Sequence, residues 1–156
     1  MSNILIPGIQ EDSLSAEERL AVSEKRLRLL TDNAKDVVWS MSPSGEITYV
    51  SQAVEKLRGI TPELAMRQTI DEILTPDSQK EVIQYFQNVH LAFAEKRDLP
   101  TFRGDLEYYR NDGSTFWTEV FAFPLTGSNG ELVEILGVTR DISDRKSYEA
   151  SLLHAR

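Results

Sequence analysis

Residues 108–145 constrain the fold of this chain more than any other segment. Two strand-like stretches, Leu106 to Arg110 and Thr115 to Phe123, are joined by Asn-Asp-Gly-Ser, which is the residue chemistry of a tight hairpin turn. A third strand-like stretch ends near Asp141 and is followed by Ser143, a residue type that caps helices. The segment predicts an antiparallel sheet whose last strand leads directly into a helix.

Both faces of the predicted strand at residues 115–123 are largely apolar. One face carries Phe116, Thr118, Val120 and Ala122, and the other carries Trp117, Glu119, Phe121 and Phe123. A strand of this kind needs cover on both sides, so we expect helices on one face and an N-terminal helix or a partner chain on the other.

The residues before this segment predict a first hairpin and a set of helices. Strands at Asp36 to Ser42 and Glu46 to Ser51 flank a Pro-Ser-Gly turn, and Gln52 to Ile73 contains short helices. A longer helix from Pro76 to about Lys96 should press one apolar face onto the sheet. The residues of that face are Val82, Ile83, Phe86, Val89, His90 and Phe93.

At the N-terminus, residues 1–13 predict a flexible tail and residues 14–34 an amphipathic flanking helix. Ser15 and Glu18 have the spacing of a capping box, and the apolar stripe includes Leu20 and Leu27. The helix either folds back on its own domain or forms a dimer seam, and the pattern is compatible with both.

Composition excludes several classes of function. The net charge of -8 disfavours nucleic-acid binding. The absence of Cys and the presence of only two His argue against a metal site and against disulfides. No apolar run reaches the ~20 residues of a membrane span and no secretion signal is evident, so we expect a cytoplasmic location with no membrane contact within this chain.

Catalysis within the chain is not expected either. Acidic pairs such as Asp71-Glu72 are typical of a solvated surface or a helix start. The glycine in Asp112-Gly113 belongs to a hairpin turn, and no phosphate-cradling glycine loop is present.

Three segments resemble the PAS sensory domain with its C-terminal PAC motif. They are residues 45–51 (GEITYVS), 109–117 (YRNDGSTFW) and 137–146 (GVTRDISDRK). The resemblance covers about residues 27–156, and one departure is Ser51, where many relatives have Asn.

The resemblance implies an α+β fold: a five-stranded antiparallel sheet with short helices and one longer helix on one face, plus flanking helices at both ends. The PAS domain would occupy residues 35–142, and residues 143–156 would start an outgoing signalling helix. Such domains often form homodimers and serve as the sensor part of bacterial multidomain proteins. The effector would be a histidine kinase of a two-component system or a diguanylate cyclase.

The resemblance also bears on cofactors, whose identity the sequence leaves unknown. Flavin photosensors of the family bond the flavin through a Cys, and this chain has Thr69 at about that position, which excludes covalent flavin photochemistry. Haem sensors take their ligand from a His of the long helix. That position falls near Ile83, about two turns before His90, so haem is not expected.

Three groups of candidate site residues follow from the family register, from the alternation along the strands and from the stripe of the N-terminal helix. The candidates for lining a ligand pocket are Leu106, Tyr108, Phe116, Thr118, Val120 and Thr139, with Gly137 on the same face. The candidates for dimer or helix packing are Leu20, Leu27, Trp117, Phe121, Phe123 and Val138, with Leu136 on that outer face. The candidates for signal exit are Asp141 and Ser143.

Two hypotheses of function follow. The first is a sensory module that binds a small molecule or cofactor and biases the outgoing helix. The second is a ligand-free interaction module that dimerises through the outer sheet face and sets the register of effector domains.

Overall fold

The computed structural model describes residues 35–154. The predicted tail at residues 1–13 and the predicted helix at residues 14–34, with Leu20 and Leu27, lie outside the described residues. Residues 155–156, at the end of the predicted outgoing helix, lie outside them as well.

The described residues form one five-stranded antiparallel sheet with helices, which confirms the predicted α+β fold. The strand order is β2-β1-β5-β4-β3, so the last strand lies in the middle of the sheet. The strands are β1 (Val37–Met41), β2 (Ile47–Val50), β3 (Phe102–Tyr109), β4 (Thr115–Thr126) and β5 (Leu132–Asp141). The helices are α1 (Val54–Arg58), α2 (Pro62–Ala65), α3 (Ile70–Ile73), α4 (Pro76–Ala94) and α5 (Ser143–His154).

The β3–β4 hairpin closes as its turn chemistry predicts. The Asp112 carboxylate accepts a hydrogen bond from the Ser114 backbone N–H at 2.9 Å, and Gly113 takes a φ of 87°, which favours glycine. β3 begins at Phe102, four residues before the predicted start, because pairing with β4 outweighs the low strand propensity of Gly104 and Asp105. β4 continues through Pro124, which lies beyond the end of β3 and pairs only with β5.

The buried face of α4 matches the predicted one only in part, because Val82, Phe86 and Val89 pack inward as predicted but Ile83, His90 and Phe93 do not. Tyr85, Val89 and Ala92 are buried, whereas Ile83 is 47% exposed and Phe93 and His90 also face outward. The apolar residues of this helix spread around more than one stripe, and the packing against the sheet selects the stripe that Tyr85 and Val89 share.

Gly137 allows a large aromatic side chain to lie flat on the inner face of the sheet. Gly137 pairs with Trp39 across β1 and β5, and a Cβ at position 137 would lie 2.1 Å from Cζ2 of the Trp39 indole. Trp39 packs against three clusters of buried residues at once. The missing side chain at Gly137 is therefore what admits the indole to the core.

The outer face of the sheet carries a second apolar cluster. Val38, Leu125, Leu136 and Val138 are buried there, and Tyr49 and Phe123 pack against them. The two faces of the sheet thus each contribute to the core, as the two-sided apolar pattern of β4 predicts. No helix within residues 35–154 is both long enough and apolar enough to cross a membrane.

Candidate functional site

A cavity of about 110 Å³ lies between the inner face of the sheet and helices α1 to α4. Its wall draws on all five strands and all four of those helices, and most of the side chains in it are apolar. Among them are Val37, Ile47, Val54, Leu57, Ala65, Ile70, Val82, Phe86 and Ile135. A mostly apolar cavity with a few polar groups is the usual form of a small-molecule site.

Three polar side chains in the wall form one hydrogen-bonded group. The Trp39 indole N–H donates to the Thr139 hydroxyl at 2.9 Å, and the hydroxyls of Tyr108 and Thr139 are 3.0 Å apart. Burial raises the pKa of Tyr108 and outweighs the hydrogen bond between Tyr108 and Thr139, which acts in the opposite direction. Tyr108 is therefore a neutral hydrogen-bonding group at physiological pH.

Four of the six residues predicted to line the pocket do line it: Leu106, Tyr108, Val120 and Thr139. Phe116 and Thr118 lie on the same face but are not part of the wall. Phe116 packs into the cluster under α1 and α2, and the hydroxyl of the fully buried Thr118 donates to the Leu106 carbonyl at 2.8 Å. Gly137 is likewise absent from the wall, because the Trp39 indole covers it.

Arg58 is a cavity residue that the sequence reasoning did not identify. Its side chain is 4% exposed, its Nε donates to the Tyr109 carbonyl at 2.8 Å, and its Nη1 donates to the Gln68 Oε1 at 2.7 Å. Both Arg58 and Gln68 line the cavity. A usable signal was present, because Arg58 lies four residues after the buried Val54, which places both residues on the same side of α1.

The outer face of the sheet exposes two of the predicted packing residues. Trp117 is 37% exposed and Phe121 is 45% exposed, whereas Phe123 is half-buried and Val138 is buried. Cationic groups lie over the two exposed rings: Lys146 Nζ is 4.9 Å from the Trp117 ring centre, and Arg103 is at the same distance from Phe121.

The side chain that caps the start of α5 is that of Asp141. The sequence predicts Ser143 in this role. The Asp141 carboxylate accepts a hydrogen bond from the Ser143 backbone N–H at 2.8 Å, so Asp141 satisfies one of the unpaired N–H groups in the first turn of α5. The Ser143 hydroxyl is buried and makes no hydrogen bond within residues 35–154. The Ile142 backbone N–H donates to the Trp117 carbonyl at 3.1 Å, so the exit is attached directly to β4.

A cluster of charges fastens α5 to the sheet. The Asp105 carboxylate on β3 accepts from Arg145 Nη2 at 2.7 Å and from Lys146 Nζ at 3.1 Å. Arg145 also lies 3.9 Å from Glu119 on β4. Partial burial raises the pKa of Asp105, but the bonds from Lys146 and Arg145 together outweigh burial and hold that pKa below its usual value. We call the ion pairs of Asp105 with Arg145 and Lys146 the exit latch.

The exit latch predicts a release of α5 in acid. The pKa of Asp105 is lower in the folded chain than in the unfolded chain. The ionised carboxylate therefore stabilises the fold fully above the ordinary aspartate pKa of about 3.9, and this stabilisation is lost as the pH falls through the lowered pKa. We expect Asp105→Asn to show at neutral pH the low α5 protection factors, that is, amide exchange rates close to the intrinsic rate at the same pH, that the parent shows only in acid. The matched control is Glu107→Gln, which removes a carboxylate from the same strand with no ion pair among the described residues. Equal α5 exchange rates in the two variants would contradict the latch.

Thr69, at the position of the flavin-binding Cys, and His90, the His of the long helix, both lie outside the cavity wall. Thr69 is exposed at the start of α3, where its backbone N–H donates to the Glu72 carboxylate at 3.0 Å. His90 is exposed, and its Nε2 lies 2.8 Å from the Pro43 carbonyl oxygen. In the part of the chain that the structure describes, no group of three or more metal-ligating side chains occurs.

A five-stranded antiparallel sheet that encloses a small cavity beneath short helices and continues into a terminal helix is the architecture that the PAS resemblance implies. The PAS domain family model matches residues 35–144, and the chain belongs to that family.

Several known proteins are similar to the chain. It is 26% identical over 144 residues to the methanogenesis regulatory histidine kinase FilI of Methanothrix harundinacea, covering 89% of this chain and 15% of that protein. It is 25% identical over 132 residues to sporulation kinase C of Bacillus subtilis, covering 85% of this chain and 29% of that protein. The chain thus spans less than a third of either relative.

A solved structure supports the fold. The sensory box histidine kinase/response regulator of Burkholderia thailandensis superposes with a TM-score of 0.61 at 22% identity, covering 84% of this chain and 95% of that one. At this identity the likeness concerns the fold alone.

Proposed function

We propose that this chain is the input module of a sensor protein, which binds a small, mostly apolar molecule in its cavity and relays occupancy through α5. The observation that carries the proposal is the position of Thr139. Its hydroxyl is in the cavity wall, and two residues later on the same strand Asp141 holds the first turn of α5. One strand therefore joins the ligand space to the exit.

The hydrogen-bonded group in the wall would couple ligand binding in the cavity to the position of β5. Thr139 on β5 is linked to Trp39 on β1 and to Tyr108 on β3, so three strands meet at one hydroxyl. A ligand that competes for either bond favours a different arrangement of β5. The shift in population is limited by the difference in ligand affinity between the two arrangements.

Relay to α5 would be resisted by the exit latch. Asp105 lies on β3 and Arg145 and Lys146 lie on α5, so a movement of β5 against β3 changes the geometry of these ion pairs. The effector that receives the signal would lie outside this chain. A histidine kinase is favoured, because FilI and sporulation kinase C are kinases, and a diguanylate cyclase is the alternative from the family resemblance.

Ligand binding should appear as a thermal shift that depends on the cavity. At a hundredfold excess over Kd, a cavity ligand stabilises the fold by about 2.7 kcal/mol, which corresponds to roughly 5–10 °C in Tm for a domain of this size. We expect a small-molecule library to contain compounds that raise the Tm of the parent chain. The same compounds should not raise the Tm of Ala122→Leu, because the larger side chain fills part of the cavity from a buried position of the wall. Ala94→Leu at the exposed end of α4 should keep the shift. A library without any such compound would count against the proposal.

A second candidate function is an interaction module that dimerises through the outer face of the sheet. The observation in its favour is the exposure of Trp117 and Phe121, two large rings on the outward face of β4 that are separated on that face by Glu119. In this arrangement the dimer also sets the spacing of the effector domains. The two functions are compatible, because they use opposite faces of one sheet.

A further inference from the structure

We infer that the cavity takes a small organic anion, with its apolar part among the aliphatic side chains and its carboxylate on the Arg58 guanidinium. The inference rests on the proposed function, which supplies the cavity as a ligand site, and adds the chemical class of the ligand.

Arg58 is a buried cation that lacks an anionic partner within residues 35–154. Its two hydrogen bonds go to neutral acceptors, the Tyr109 carbonyl and the Gln68 side-chain oxygen. A guanidinium has five N–H donors, so three of the five have no partner among the described residues, including both on Nη2. A buried charge is costly unless it is paired. The position next to an apolar cavity therefore favours a ligand that brings the missing negative charge.

The surroundings of Arg58 keep it both charged and fixed in place. Burial lowers the pKa of Arg58, and the neighbouring Tyr108 acts in the opposite direction. An arginine nevertheless stays protonated in proteins. The bonds to β3 and to Gln68 hold the plane of the guanidinium, and the Arg58 carbonyl accepts from the Asn111 N–H at 2.9 Å. A fixed planar fork of donors is suited to two parallel hydrogen bonds with a carboxylate.

The volume of the cavity limits the apolar part of the ligand. An engineered apolar cavity of ~150 Å³ in another protein holds benzene. A cavity of about 110 Å³ accordingly suits a branched chain or ring of about five carbons. A flavin or a haem is several times larger. The net charge of -8 repels anions at long range, so any preference for a carboxylate must come from a local cation such as Arg58.

The test compares 3-methylbutanoate with its neutral isostere 3-methylbutanamide at pH 7. Kd values are read from amide shifts of cavity residues such as Ile70 and Val82 in NMR titrations of the whole chain. A charge-assisted bond gives roughly a tenfold or larger preference for the carboxylate. We expect that preference in the parent and in Arg67→Gln, a control that changes an exposed arginine outside the cavity wall. In Arg58→Gln the two compounds should bind about equally.

The possible results separate this inference from the proposed function. If the amide binds the parent as tightly as the carboxylate, the anion inference is wrong and the cavity remains a ligand site. If neither compound shifts a cavity residue, the anion inference is again wrong, and the library screen decides the proposed function separately. If Arg58→Gln does not fold, the comparison of the two compounds on the parent chain still decides the inference.

Discussion

Gly137→Ala is expected to destabilise the domain by about 2–3 kcal/mol, the cost typical of overpacking a core. The added Cβ would lie 2.1 Å from Cζ2 and 2.4 Å from Cε2 of Trp39, so the indole must leave its site. Its departure also removes the hydrogen bond to Thr139. Urea denaturation followed by circular dichroism measures the loss as a lower midpoint at an unchanged slope.

The matched control for this change is Gly104→Ala. Gly104 is also a strand glycine, but its nearest non-adjacent atom is the tip of the Phe102 ring at 3.1 Å, which can move aside. We expect a change within about 1 kcal/mol for the control, since alanine also reduces the entropy of the unfolded chain. Trp39→Phe should recover part of the stability of Gly137→Ala, because the smaller ring leaves room for the methyl group. Equal stability of Gly137→Ala and the parent would refute the packing argument.

Trp117→Glu is expected to convert a dimer into a folded monomer if the outer face is the interface. The substitution replaces a large apolar side chain that is 37% exposed with a charge that an interface core excludes. Lys146 lies over the ring in the parent and can pair with the new carboxylate, so the domain should remain folded. Light scattering coupled to size exclusion reports the mass, and circular dichroism reports the fold.

Val133→Glu is the control for this experiment. Val133 is an exposed apolar residue at the start of β5, at the opposite end of the β4–β5 ladder from Trp117. We expect this variant to stay dimeric. A dimer that persists in Trp117→Glu, or a parent chain that is monomeric at tens of micromolar, would remove the outer face as the dimer interface.

The sheet was predictable because its signals are local. The alternation along residues 115–123 and the Asp-Gly turn assign each residue of β4 to a face, and the structure buries Phe116, Thr118 and Val120 while exposing Trp117 and Phe121. Turn chemistry and period-2 alternation act within one hairpin and need no knowledge of distant residues.

The cavity was predictable only in part, because its wall depends on contacts across the chain. The apolar residues of α4 cover more than one stripe, so the sequence could not tell that Tyr85 and not Ile83 would face the sheet. Arg58 is a charged residue in the last turn of a short helix, where such residues usually lie at the surface. Only the approach of Tyr109 and Gln68 makes its burial possible.

The central position of β5 has a consequence for how the chain folds. The β1–β2 and β3–β4 hairpins are joined in the sheet only through β5, and the pairing of Val37 with Thr139 closes a loop of about a hundred residues. Local hairpins can form early, but the sheet is incomplete until the last strand inserts between them. On a ribosome, both hairpins would expose an unpaired edge until residues 132–141 have emerged, so the domain must complete its folding after nearly all of its residues have been synthesised.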